Sequence, residues 1–429
     1  MTTYTLRDYQ DEAVDAGVSY LHDKKRRRKN GIIVAPTGSG KSLLIASMCT
    51  RLDGPSVVFQ PTREILQQNA IKLAHYGYPA AVFSASMGRR ERGHVTLATI
   101  GSVVTQPAAF EHVSYVLIDE CHQAVNPKGG QFTDFIEGLP DHVRVMGFTA
   151  TPYRLATNSM GSQLRFLTRT TPRLFNDMVH ETSIQRLVAG GYWSPLQYHT
   201  DRVVVQKERL LLNTTVTDYT DGSVQLHFTE IGFVGKLCDR VAQHLAAGRK
   251  HVLVFTRFVD EAKRVAEQFG SRAAFVSADT KDHERDRIVR DFKSGLIEVV
   301  ANVGVLSIGF DFPELDCVVL GCPSISLARY YQWVGRAVRP HASKSMAHID
   351  DMVGLVRQFG KVEDLQLRTE GRYGREWSVC SGDRPLTNVY FTDRDGDAAL
   401  VDGGLTPEQI KKNKNAAFWR NRNKFKRRS

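Results

Sequence analysis

The stretch Gly31-Ile32-Ile33-Val34-Ala35-Pro36-Thr37-Gly38-Ser39-Gly40-Lys41-Ser42 decides how the rest of the 429-residue sequence is read. Its first four residues are a short apolar run of the kind a buried strand needs. A glycine-rich turn follows, and Leu43 to Leu52 then reads as a helix. Strand, glycine loop and helix in that order make a phosphate cradle. The glycines let backbone N–H groups crowd around phosphate oxygens, and the helix N-terminus adds positive potential. Thr37, Gly38, Ser39 and Gly40 are expected to line the loop. Lys41 would reach the β and γ phosphates, and Ser42 would hold a magnesium ion. The expected ligands are therefore ATP and Mg2+.

Working outward, strands and helices alternate on both sides. Strands are expected at Ser56–Phe59, Ala80–Phe83, Val95–Thr99, Val113–Ile118 and Val143–Phe148, with a helix at Glu64–Leu73. A less regular stretch follows from Tyr153 to about Phe228, and from about Thr229 the alternation restarts and runs to Gly335. Alternation of this kind means parallel sheets covered by helices. The expected organisation is α/β, with two tandem parallel-sheet lobes at 1–185 and 229–370. Residues 186–228 read as a connecting segment and 371–429 as a C-terminal extension.

Two further clusters carry chemistry. Asp119-Glu120-Cys121-His122 follows the apolar run Tyr115–Ile118, at a strand end where an open α/β sheet presents ligand-binding residues. Asp119 would hold the metal and Glu120 would polarise an attacking water. Gln332-Trp333-Val334-Gly335-Arg336-Ala337-Val338-Arg339 lies in the second half. Arg336 and Arg339 are three apart, so they share a helix face if the helix persists. Two guanidinium groups would stabilise charge on a transferred phosphoryl group.

In this order the segments resemble superfamily 2 helicases of the DExH type, over roughly residues 4–340. The resemblance implies two RecA-like lobes that hydrolyse ATP between them and move on nucleic acid. It implies that Gln10, supported by Arg7, reads the adenine edge. It places Pro61, Thr62, Arg63, Thr99 and Ser102 on the nucleic-acid backbone, with Thr256 and Arg257 from the second lobe. His122, Thr149 and Thr151 would couple the state of the nucleotide to the grip on the strand. Gly309 and Asp311 would lie near the ribose. Gln332, Arg336 and Arg339 would complete the catalytic set with Lys41 and Glu120. Leu6–Ala13, Val188–Tyr192, Ala301–Pro313 and Tyr331–Arg339 are similar to RadD-like and phage UvsW-like DNA helicases. Two departures stand out. Val303 occupies a place where a phosphate-contacting Thr is common. Cys380 is the one cysteine where RadD-type chains carry a zinc region, so that module is missing.

Composition sets the bounds. Hydrophobic residues are 42% and charged residues 24%, ordinary for a globular protein. No apolar run approaches a membrane span, and the start lacks the pattern of a signal peptide. A cytoplasmic protein with no membrane partner is expected. The six cysteines form no CxxC pair, so buried thiols are expected rather than zinc ligands. The net charge of +11 is uneven, because the segment from Lys411 to Ser429 holds nine Lys/Arg and no acid. Thr406-Pro407-Glu408-Gln409 starts a helix there, and Lys424 and Arg427, with Phe418, Trp419 and Phe425 interleaved, suit phosphate contact and base stacking. DNA is the expected partner, single-stranded, forked or branched, with RNA as the alternative. A restriction or defence complex, a non-catalytic nucleic-acid scaffold, and a protein partner bound through the C-terminal extension also stay open.

Overall fold

In the computed structural model the run Gly31–Val34 is a fully buried strand, and the loop after it opens a helix at Lys41. The structure describes residues 5–386 apart from 27–28, 105, 126–128, 159–160, 216, 307–309 and 371–375. Gly309, Lys424, Arg427 and the expected terminal helix lie outside the described residues. The chain divides into two compact units, one of Met1–Arg154 with Arg165–Ser183, the other of Leu155–Leu164 with Ile184–Ser429.

The first unit runs α1 (Asp8–His22), β1 (Gly31–Val34), α2 (Lys41–Arg51), β2 (Ser56–Phe59), α3 (Arg63–His75), β3 (Ala81–Ser84), β4 (Arg89–Arg90), β5 (Val95–Ala98), α4 (Ile100–Val103), β6 (Tyr115–Asp119), α5 (Gln131–Glu137) and β7 (Arg144–Thr149). The chain then passes through the two-stranded sheet of β8 (Tyr153–Asn158) and β9 (Gly161–Phe166), most of which belongs to the second unit, and returns to the first at β10 (Asp177–Glu181). The sheet order is β10-β1-β7-β6-β2-β5-β3-β4, parallel except for the last strand. Its central strands are apolar on both faces because helices cover both. Helices α1 and α2 pack closely at Gly17, where an added Cβ would lie 2.2 Å from Met48 Cε.

The second unit contains α6 (Ile184–Ala189), β11 (Leu196–His199), α7 (Asp221–Glu230), α8 (Phe233–Ala246), β12 (Val252–Phe255), α9 (Val259–Phe269), β13 (Ala273–Val276), α10 (Asp282–Lys293), β14 (Val299–Asn302), β15 (Cys317–Leu320), α11 (Leu327–Val334), β16 (Ala347–Asp351) and α12 (Leu355–Phe359). Its six-stranded sheet, β11-β16-β15-β12-β14-β13, is parallel throughout. β17 (Leu365–Glu370), β18 (Glu376–Ser381) and β19 (Arg384–Pro385) form a small antiparallel sheet.

Strands β10, β11 and β16 are among those the sequence pattern did not announce. β10 and β11 carry mixed, half-buried residues with no apolar run. β11 lies within the segment read as a connection, 186–228, yet pairs with β16. β16 is fully buried although it contains Asp350 and Asp351. Those charges are tolerated because each is answered: His244 and Arg240 meet Asp350 at 2.8 and 3.3 Å, and Asp351 accepts N–H bonds from Val353 and Val356. The β17–β18 pair also joins residues on both sides of residue 371, where the C-terminal extension was expected to begin.

Candidate active site

The loop after β1 is built for close approach. Gly38 and Gly40 both have φ of 82°, a conformation that side chains with a Cβ resist. A Cβ at Gly40 would also lie 2.4 Å from Gln10 Nε2. The loop is held from α1, because Gln10 Nε2 and Tyr9 Oη donate to the Ser39 carbonyl at 2.8 and 3.1 Å. Gln10 Oε1 in turn accepts from the Arg7 N–H at 2.9 Å, and Arg7 Nη1 lies 3.1 Å from Tyr9 Oη. Arg7 and Gln10 thus brace the loop as well as standing beside it. The Ser39 hydroxyl is buried and has no hydrogen-bond partner among the described residues.

Strand β6 delivers Asp119 and Glu120 to this loop. Glu120 has φ of 48°, the one positive φ outside glycine among the described residues. Such strain persists only where the surroundings enforce it, and it concentrates at functional sites. The turn is held by the Glu120 N–H donating to Asp119 Oδ1 at 2.9 Å. Lys41 Nζ forms ion pairs with Glu120 and, at 3.0 Å, with Asp119. Burial works against the Lys41 charge, but the two carboxylates outweigh it and hold its pKa above the usual lysine range. Burial likewise opposes charge on Glu120. Lys41 and His122 overcome it and push the carboxyl well below the usual range. For Asp119 burial prevails over Lys41, and the neighbouring Glu120 adds to it, so its pKa is raised.

His122 connects this cluster onward. Its Nδ1 lies 3.3 Å from Glu120 Oε2 and 3.0 Å from Thr149 Oγ1, and the Thr151 N–H donates to the same Thr149 oxygen at 3.0 Å. The Ser42 hydroxyl donates to Asn69 Oδ1 at 2.8 Å, and Asn69 Nδ2 donates to Gln60 Oε1 at 2.7 Å. The donor set suits a polyphosphate with Mg2+: a lysine, two carboxylates, two hydroxyls, and a helix start whose first N–H groups have no intrahelical acceptor.

A cavity of about 400 Å³ opens beside the carboxylates, lined by Gln60, Pro61, Ile100, Asp119, Glu120 and Phe132 among others. Around it stand the residues expected on a nucleic-acid backbone. Thr62 caps α3 by accepting from Ile65 N–H at 3.3 Å, and Arg63 is exposed in the first turn. The Thr99 and Ser102 hydroxyls are 2.9 Å apart, and Ser102 Oγ also accepts from the Ala85 N–H at 2.9 Å.

In the second unit, α11 ends at Val334. The helical face expected to join Arg336 and Arg339 therefore does not exist. Gly335 closes the helix, and both arginines sit in the turn beyond it. Arg336 is 8% exposed and donates from Nη1 to the Phe310 carbonyl at 2.9 Å and from Nε to the Gln332 carbonyl at 3.2 Å. Arg339 is ion-paired with Asp311. Arg257 is enclosed by Asp218 at 3.0 Å, Asp221 at 2.8 Å and the Tyr219 carbonyl at 2.8 Å, so a phosphate contact there has to displace them. Thr256 is buried, with its hydroxyl directed to the Phe258 carbonyl at 3.4 Å.

Comparison with known proteins was made against this geometry. Residues 3–154 match the family model described as type III restriction enzyme, res subunit, and residues 235–341 match that of the helicase conserved C-terminal domain. The chain is a superfamily 2 helicase. The helicase is 24% identical over 372 residues to the putative ATP-dependent helicase IRC3 of Saccharomyces cerevisiae, covering 81% of this chain and 51% of that protein. It is 23% identical over 367 residues to the ATP-dependent DNA helicase uvsW of Enterobacteria phage T4, covering 80% and 68%. Among solved structures, a fragment of a putative HsdR subunit of a type I restriction enzyme from Vibrio vulnificus YJ016 superposes with a TM-score of 0.58. Its identity is 18%, over 83% of this chain and 66% of that one. The helicase spans between about half and two thirds of the length of the first relatives it matches. These likenesses identify both parallel sheets as RecA-like lobes.

Several residues of the helicase were not anticipated. Asn69 falls on the buried face of α3 with Ile65, Leu66 and Leu73, so a polar residue at that helical spacing was the available signal. Ser194 and Lys344 hold the arginine turn: the Ser194 N–H donates to the Val338 carbonyl at 2.7 Å and its hydroxyl to the Arg339 carbonyl at 2.9 Å. Lys344 Nζ donates to the Ala337 carbonyl at 2.9 Å. Nothing in their local sequence marks them, because their partners are backbone atoms of distant residues.

Proposed function

We propose that this helicase is an ATP-driven motor that moves on, or remodels, single-stranded, forked or branched DNA. The observation that carries the reading is the unbroken run of contacts from Lys41 through Glu120 and His122 to Thr149 and Thr151. It gives a nucleotide-dependent change at Lys41 a physical route to the end of β7.

In this reading Lys41 leaves its carboxylates for the β and γ phosphates. Glu120 then loses the counter-charge that keeps it a weak base, and it takes the proton of the attacking water. Asp119 and Ser42 would hold Mg2+, which neutralises charge on the phosphate oxygens. Arg7 and Gln10 read the base and Asp311 meets the ribose. Arg339 answers charge on the transferred group, while Arg336 and Gln332 keep its turn in shape. On the strand-gripping side, Arg63 supports the reading. A cation in the first turn of a helix is opposed by the helix dipole, and a strand phosphate at that end relieves the conflict. DNA is preferred over RNA on the match to a DNA helicase of phage T4 and on His122 in the DExH position.

The test is steady-state ATP hydrolysis by the full chain with single-stranded DNA, forked DNA and single-stranded RNA, beside Lys41→Ala. Stimulation by DNA, abolished in the variant, is the expected result. Stimulation by RNA alone defeats the choice of DNA. No stimulation by any strand, with Lys41→Ala indistinguishable from the parent, defeats the motor.

A further inference from the structure

The inference rests on the nucleic-acid reading above and concerns the free edge of the first unit's sheet. Neighbouring strands β2, β5 and β3 present their carboxyl-end loops in that spatial order: Thr62–Arg63, then Thr99–Ser102, then Ala85–Gly88. Adjacent strands are about 4.8 Å apart, so the three loops form a row leading to the sheet edge. The second and third loops are fastened together by the Ala85 N–H bond to Ser102.

At Gly88, φ 64°, the chain reverses into β4, the last strand of the sheet, which pairs antiparallel with β3 at Phe83↔Arg90 and Ser84↔Arg89. Every residue from Gly88 to His94 is exposed, and the segment sets Arg89, Arg90 and Arg92 against Glu91 alone. Arg89 is spent in a two-pronged pair with Glu91, at 2.9 and 2.7 Å. Among the described residues Arg92 reaches only the Ala109 carbonyl, at 3.3 Å. Arg90 has no ion pair or side-chain hydrogen bond among the described residues. Charge on an edge strand also discourages pairing with other chains, but either sign serves that purpose. A positive excess, fastened to a loop in the strand-gripping row, has a more specific use.

We propose that the β3–β4 hairpin, through Arg90 and Arg92, binds the sugar–phosphate backbone of single-stranded DNA and extends the row of backbone contacts beyond Ser102 to the sheet edge.

The test is equilibrium binding of a fluorescent single-stranded DNA oligonucleotide to the full chain across a range of salt concentrations. For Arg90→Ala/Arg92→Ala the slope of log affinity against log salt should fall by about 1.4, since each single-strand phosphate contact contributes roughly 0.7. The affinity should fall about tenfold at low salt, with an unchanged unfolding temperature. Glu91→Gln releases Arg89 and should tighten binding about twofold, a gain that misfolding cannot mimic. An unchanged slope in the double variant, with no gain in Glu91→Gln, overturns the hairpin's role while the parent still binds. A parent that binds no oligonucleotide overturns the nucleic-acid reading itself.

Discussion

Around Lys41 in the first unit, a half-buried charge meets opposite charges. Around Arg336 in the second, a buried charge meets backbone dipoles. Lys41 is paired with Asp119 and Glu120, and the groups that hold Arg336 include the carbonyls of Phe310 and Gln332. The same contrast separates two glutamates. Glu120 is answered by an ammonium group and its pKa is pushed down. Glu261 is buried at the start of α9, where it accepts from the Arg257 and Phe258 N–H groups at 3.0 and 3.1 Å. Burial exceeds what those bonds and Arg257 return, and its pKa rises to about 7. Ion pairs can exchange partners when a triphosphate arrives, because one counter-charge replaces another. Dipole-held groups have no such replacement, so they keep a backbone in place. Arg339 belongs with the exchangeable kind. Its pair with Asp311 is about a quarter exposed and demands little to open.

The sharpest way to break this comparison is to remove the two arginines separately. Arg339→Ala should lower DNA-stimulated ATP turnover by about 10³-fold, with an unfolding temperature near that of the parent. A loss below tenfold removes Arg339 from the reaction. Arg336→Ala should instead destabilise the protein by about 1–3 kcal/mol in denaturant unfolding, because it strands the Phe310 carbonyl in the interior. If Arg336→Ala unfolds like the parent, the brace reading fails.

The smallest expected effect concerns Glu261. Its folded pKa, about 7, stands above its ordinary value of 4.5. Its contribution to stability is therefore complete below pH 4.5 and is lost as pH rises through 7, at no more than about 1.4 kcal/mol per pH unit. Glu261→Gln keeps an oxygen for the two N–H groups but has no proton to release. The stability difference between parent and variant should shift in the variant's favour from pH 4.5 to 7. A constant difference across that window would place the charged carboxylate in a better-solvated position than the structure gives it.

Most of the fold was legible because it is written in short-range pattern. The runs at Gly31–Val34, Ser56–Phe59, His251–Phe255 and Cys317–Leu320 each fell on a strand, since buried parallel strands are continuously apolar. β16 was hidden by its aspartates: Asp350 becomes compatible with burial only when His244 and Arg240 arrive from α8, and Asp351 when the backbone N–H groups of Val353 and Val356 meet it. In the candidate site, the residues that the sequence sets side by side were legible, from Gly38 to Ser42 and from Asp119 to His122. Asn69, which meets Ser42, was not, and neither were Ser194 and Lys344, which hold the arginine turn. Helix α11 was expected over Leu327 to Gly335, with a shared face for Arg336 and Arg339 only if it persisted; it stops at Val334, where Gly335 closes it and Arg336 turns back onto Phe310.

Sequence alone determined that two α/β units stand in tandem and that a lysine, a carboxylate pair and an arginine pair accompany the glycine loop. Periodicity and contiguous motifs are properties of neighbours along the chain. Tertiary structure alone decided which charges face charges and which face backbone, the left-handed turn at Glu120, and the hairpin fastened to Ser102. Each of these depends on groups brought together from distant positions, and the energy of a buried polar group is set by what it meets there rather than by what precedes it in the chain.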